Sequence, residues 1–132
     1  MWPFRRKGAD HPTTTQAIGV RGESLAQKTL RQSGFRILAR NYLCSAGEAD
    51  LIAEEKATRD IVFVEVKTRT GRTHVEPYAA VNAAKQIRYR RVAQHYMLTH
   101  EIGERTVRFD VVSIVLTPGQ SPEIEHIPNA FA

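Results

Sequence analysis

Ile61-Val62-Phe63-Val64-Glu65-Val66-Lys67 is the stretch on which the fold turns. Its first four residues are β-branched or aromatic without a break, as in a central strand covered on both faces. Period-two alternation puts Ile61, Phe63, Glu65 and Lys67 on one side. That side is apolar in its first half and carries a carboxylate and an ammonium in its second. A covered strand ends this way when its far end opens into a cleft, because a buried charge without a partner is costly.

Working outward, Gly47 to Ala53 reads as the preceding strand, with Ala49, Leu51 and Ala53 on one face and Glu48, Asp50 and Ile52 on the other. Glu54 to Asp60 is a charged connection, and Phe35 to Tyr42 an outer strand. Ahead of them, Leu25, Ala26 and Leu30 recur at helical spacing, so Ile18 to Ser33 is expected as a helix stopped by Gly34. Gly19, Gly22 and Ala26 would let another element pack closely on it, and Glu23 lies on the same stripe as Gly19, Ala26 and Leu30.

Downstream, Gly71 to Glu76 reads as a loop, and Pro77 suits the first turn of a helix running to about Thr99. Val81, Ala84, Val92 and Tyr96 give that helix a partial apolar stripe, interrupted by Arg88. Thr106 to Leu116 is a further strand. After the Pro118-Gly119 turn, Glu123 to Ile127 is a short edge strand bounded by Pro122 and Pro128. The order α-β-β-β-α-β-β describes a single α/β domain over residues 17–132, a mixed central sheet with flanking helices. The long helix is a crossover, so the strands on either side of it can be parallel.

Residues 1–16 are rich in Arg, Pro and Thr without periodicity and read as a flexible basic arm. No apolar segment follows the basic start, which argues against a secretory signal, and no run approaches the ~20 apolar residues of a membrane span. The single cysteine, Cys44, excludes an internal disulfide framework and fits a reducing cytoplasm. A net charge of +5 over 132 residues biases the chain toward polyanions. The five histidines show no paired ligand spacing, which makes a zinc site a poor expectation. Arg108 and Asp110, on one strand face, read first as a structural ion pair.

If the second and third strands pair as a hairpin, Asp50, Glu65 and Glu48 converge near Lys67, and Glu23 can join them. Convergent carboxylates repel and raise one another's pKa, and a divalent cation removes that cost. Mg²⁺ or Mn²⁺ suits oxygen ligands, polarises a phosphoryl oxygen and lowers the pKa of bound water. Lys67, two residues along the same face, can position that water or stabilise the charge developing on phosphorus. Arg69 continues this face, and Lys85, Arg88 and Arg91 follow at three-residue steps on the second helix, where they could hold phosphates flanking the cut. A plain surface ion pair of Glu65 and Lys67 is the competing explanation.

Asp50 followed by Glu65-Val66-Lys67 resembles the pattern of the PD-(D/E)xK nuclease superfamily, which includes restriction endonucleases and Holliday junction resolvases. More closely, the chain resembles the YraN family of bacterial proteins. The matching stretches are Gly22-Glu23, Asn41-Tyr42, Gly47-Glu48-Ala49-Asp50-Leu51-Ile52, Phe63 to Arg69, Lys85, Arg108-Phe109-Asp110 and Asn129-Ala130-Phe131. The resemblance implies a restriction-endonuclease-like fold, Asp50 and Glu65 as metal ligands, Lys67 as the catalytic lysine and Glu23 as an accessory carboxylate. Ala49 stands where the family usually has Ile, and the alternation points it away from the site. The expected function is a metal-dependent endonuclease acting on DNA, branched or structured forms included, for which a homodimer would suit a two-fold junction. A non-catalytic nucleic-acid-binding module and an assembly adaptor that keeps this fold remain the alternatives.

Overall fold

β3 (Ile61–Thr70) is the middle strand of a five-stranded sheet in the computed structural model, which describes residues 14–71 and 81–132. Around it stand α1 (Thr14–Gln32), β1 (Phe35–Cys44), β2 (Gly47–Glu55), α2 (Ala83–Thr99), β4 (Val107–Leu116) and β5 (Glu123–Phe131). The expected element order holds, in one α/β domain with a mixed sheet. The spatial order is β1-β2-β3-β4-β5. Only β3 and β4, which flank α2 in sequence, pair in parallel; the other three pairings are antiparallel. Most of the basic arm, the loop after Gly71 and the helix start at Pro77 lie outside the described residues, while Thr14 to Gln16 belong to α1. Among the described residues no helix is long and apolar enough to cross a membrane.

The sheet is covered on both faces, as the unbroken apolar run of β3 requires. Ala26 and Leu30 of α1 pack with Leu51, Ala53, Val62, Val64, Val112 and Ile114. Tyr89, Val92, Ala93 and Tyr96 of α2 pack with Ala49, Ile52, Ile61, Phe63 and Phe109. Val62 and Val64 thus face α1, and Ile61 and Phe63 face α2. Truncating a fully buried side chain such as Leu30 to Ala should cost about 2–5 kcal/mol.

Several expectations need correction. Ala49 and Ile52, three residues apart, share the α2-side cluster while Leu51 and Ala53 face α1, so the alternation of β2 slips by one residue at Asp50–Leu51. Opposite this slip, Asn41 takes φ 49°, between the register pairs Arg40–Leu51 and Tyr42–Ala49. Ala49 therefore packs with Tyr89 rather than facing away with Leu51. In α1, a Cβ added at Gly22 would stand 1.9 Å from Thr68 Oγ1, so this glycine sets the approach of α1 to β3. Gly19 has no such neighbour within 4 Å.

In α2 the buried stripe is Tyr89, Val92, Ala93 and Tyr96; Ala84 and Arg88 are exposed, and Val81 precedes the helix. Asn82 caps that helix by accepting the Lys85 N–H at 2.8 Å. β5 does not stop at Pro128 but runs to Phe131, with the β4–β5 register shifting between Phe109 and Val111. An edge strand tolerates a proline, which lacks the ladder donor.

Buried Asp110 pins this shifted segment. It accepts the Asn129 N–H at 3.1 Å, contacts His126 Nε2 at 2.8 Å and pairs with Arg108 at 3.1 Å. Burial alone would raise the Asp110 carboxyl; His126, Arg108 and the Asn129 N–H outweigh it and hold the group below its usual range. Arg108 also reaches Glu55 at 2.6 Å and Asp60 at 3.1 Å, so the expected ion pair is part of a structural network.

Candidate active site

β2 and β3 pair from Glu54–Ile61 to Leu51–Val64, and the ladder ends there. The next backbone donor of β3, the Val66 N–H, bonds instead to the side chain of Asp50, at 2.8 Å from Oδ2. An aspartate carboxylate thus takes the place of a strand carbonyl where the two strands part. This wedges Asp50 beside Glu65, close enough for the Glu65 charge to act on it. Burial first, then the Glu65 charge, push the Asp50 carboxyl up to about 7, against the lowering effect of the Val66 N–H. The convergence of Asp50 and Glu65 expected from the two strands is present.

Glu65 is 4% exposed and is held from α2. Lys85 Nζ lies 2.7 Å from its Oε2, and the Tyr89 hydroxyl donates to its Oε1 at 2.8 Å. The same hydroxyl accepts the Asp50 N–H at 3.3 Å, so Tyr89 ties both acidic residues to one atom. Burial, followed by the Asp50 and Glu65 charges, drives the Tyr89 phenol well above its usual range and keeps it a donor. Tyr89 is absent from the residues singled out in the sequence. Its signal was the four-residue step from Lys85, which puts both on one helix face.

The other expected site residues divide. Lys67 is half-buried and follows Glu65 on the same side of β3, and Arg69, also half-buried, continues that side. Glu23, half-buried on α1, acts on Asp50 through its field, as the last of the causes that raise it. Glu48 is exposed on β2 and is not among the causes of the Asp50 shift. Lys85 neutralises Glu65, a different place from the flanking phosphate contact expected of it. Arg88 and Arg91 are exposed on α2; the stem of Arg88 lies over Gly47, where an added Cβ would stand 2.7 Å from its Cγ.

Among the described residues no group of three or more His, Cys, Asp or Glu is gathered to hold an ion. The Asp50–Glu65 pair nonetheless fits a hard divalent cation that keeps several waters and takes only one or two protein carboxylates. The donors are oxygen, and the Asp50 carboxyl is raised by burial and then by the Glu65 charge, a cost of ionisation that such a cation would offset. Lys85 offsets the Glu65 charge, and the raised Asp50 carboxyl takes up a proton as pH falls through about 7.

The model of the uncharacterised protein family UPF0102 matches residues 22–114, which include Glu23, Asp50, Glu65, Lys67, Lys85 and Tyr89. UPF0102 proteins of Nocardia farcinica and Geobacter metallireducens are 44% and 43% identical over 116 residues each, covering 88% of this chain and 90% and 93% of theirs. That of Alkaliphilus oremlandii is 46% identical over 116 residues, covering 86% of this chain and 97% of its own. Matched over most of its length by the family model and by these relatives, the chain belongs to the UPF0102, or YraN, family.

Proposed function

We propose that this chain is a Mg²⁺- or Mn²⁺-dependent phosphodiesterase that cuts DNA, built on a restriction-endonuclease-like fold. One observation carries the reading. Two carboxylates, Asp50 and Glu65, meet where β2 and β3 part, and Lys67 follows Glu65 on the same side of β3. When bound, the ion would supply a polarised phosphoryl oxygen and an activated water. Asp50 and Glu65 would hold it, with Tyr89 fixing the orientation of Glu65 through the 2.8 Å hydrogen bond. Lys67 positions the attacking water or stabilises charge developing on the phosphorus. Glu23 adds negative potential, while Arg69, Arg88 and Arg91 meet the flanking phosphates. Phosphate contacts position a strand without reading its bases, so the substrates to test include structured and branched DNA; the lone Cys44 suits a cytoplasmic setting.

A second reading has its own support. Lys85 on Glu65 and proton uptake by the raised Asp50 carboxyl relieve the pair without any ion. A binding module that keeps the fold and does not cut is compatible with that state. Incubation with duplex, single-stranded and junction DNA in Mn²⁺ separates the two readings. Cleavage of at least one substrate by the parent, lost in Lys67→Ala, supports the enzyme. DNA binding without cleavage of any of them supports the binding module.

A further inference from the structure

Glu54, expected in the connection after β2, is instead in the strand, 2% exposed, and collects three arginines. Its Oε1 accepts from Arg36 Nη2 at 2.6 Å and Nε at 3.2 Å. Its Oε2 accepts from Arg59 Nε at 2.6 Å and Arg105 Nη1 at 2.7 Å. One guanidinium balances one carboxylate, so this hub gathers more positive charge than Glu54 needs. Arg36 and Arg59 have side chains 62% and 63% exposed, and a guanidinium carries five N–H donors. Each therefore has donors beyond those spent on Glu54.

These arginines border a pocket of about 420 Å³, within the range of ligand sites. Its aromatic wall is Tyr96 and His100, stacked with ring centroids 3.9 Å apart and planes at 11°. Tyr96 is buried and His100 exposed, so the outer ring is available as a platform. Among the described residues of the lining, Glu101 is the only acid besides Glu54, which leaves these residues with a net positive charge. The pocket lies toward the far end of α2 from Lys85, roughly 20 Å along the helix at about 1.5 Å per residue.

We propose that this pocket holds one nucleotide of a single nucleic-acid strand, its phosphate on the outward N–H groups of Arg36 and Arg59 and its base on the His100 ring. Cationic donors beside an aromatic face suit single-stranded nucleic acid, because every base can stack and every linkage carries a phosphate. The choice of partner rests on the nuclease reading, and the site is separate from the Asp50–Glu65 pair. Bound there, a strand displaced from a duplex or leaving a branch point would be anchored away from the cut.

Fluorescence anisotropy in EDTA, with a short labelled oligothymidylate, tests the site on the parent, the double variant Arg36→Ala/Arg59→Ala and His100→Ala. Arg105 stays in the double variant to neutralise Glu54. The expected result is about ten-fold weaker binding in each variant, consistent with removing a stacking platform or a phosphate partner. The salt slope of the arginine variant should also flatten by about 0.7 for each phosphate that the protein no longer neutralises. Parent-like binding by His100→Ala and by a folded arginine variant overturns the proposal, as does a parent that binds no strand. If the arginine variant fails to fold, His100→Ala alone decides, since His100 is exposed. Failure of this site and of the nuclease reading remain distinct. Weakened strand binding with no Mn²⁺-dependent cleavage by the parent removes the nuclease and keeps the pocket, whereas cleavage with unchanged strand binding does the reverse.

Discussion

Replacing Asp50 by Asn should stabilise the metal-free protein, and by an amount that grows with pH. The Asp50 carboxyl sits at about 7 in the folded chain against an ordinary value of 3.8. A carboxyl raised by folding binds its proton more tightly in the native state, so native stability falls as pH climbs from the unfolded pKa to the folded one. The three-unit rise corresponds to about 4 kcal/mol at most, at 1.36 kcal/mol per unit. Solvent, relaxation of the site and the Lys85 cation reduce this, and a gain of roughly 1–2 kcal/mol at pH 7.5 is expected for Asp50→Asn. As pH falls through 3.8 the parent aspartate becomes protonated in both states, and the gain should shrink towards zero. An asparagine oxygen can still accept the Val66 N–H, which keeps the β2–β3 wedge. Each kcal/mol moves the midpoint of a domain this size by about 3–6 °C, so melts in EDTA at pH 4, 5.5 and 7.5 resolve the trend. A variant no more stable than the parent at pH 7.5, or a gain independent of pH, would show that Asp50 and Glu65 do not repel as described.

Four further outcomes follow from the same geometry. Tyr89→Phe removes the hydroxyl shared by Glu65 and the Asp50 N–H and should cost about 1–3 kcal/mol in urea unfolding; no loss of stability would mean that the bonds are not made in solution. Lys67→Ala should retain Mn²⁺ affinity and reduce cleavage ~10²–10³-fold, measured by single-turnover assay, and an unchanged rate would remove Lys67 from the chemistry. Duplex DNA binding should be sequence-tolerant with a log K against log salt slope of about −3 to −5, and a flat response in a salt titration would contradict a phosphate-based interface. Glu54, lowered to about 2 by Arg36 and Arg59, contributes stability above pH 4.5 that is lost as pH falls through 2. Glu54→Gln should therefore flatten the acid limb of the stability curve, and an unaltered acid limb would contradict its role as the hub.

What the sequence made legible was whatever follows from strand periodicity. The unbroken run Ile61 to Val64 identified the central strand, and Glu65 and Lys67 on its continuation marked the open end. The meeting of Asp50 with Glu65 was also within reach, because a hairpin brings a strand start beside the end of the next. Three features were not. The slip at Asp50–Leu51 comes with a side chain standing in for a backbone acceptor, which period-two counting cannot register. Tyr89 stays hidden when α2 is phased on Val81 and Ala84, of which one precedes the helix and the other is exposed. Glu54 looks like loop charge because its three arginines come from positions 36, 59 and 105, brought together only by the folded sheet and the segment after α2.

Counting bound Mn²⁺ by electron paramagnetic resonance at pH 7.5 bears on the proposed metal site itself. The parent and Lys67→Ala should each take up a divalent ion, while Asp50→Asn and Glu65→Gln should lose that uptake. In melts, the parent should gain about 2.7 kcal/mol when free metal is 100-fold above the dissociation constant, a gain most of which Asp50→Asn should lack. Equal uptake by the parent and both carboxylate variants, or no uptake by the parent, would contradict a metal site built on Asp50 and Glu65.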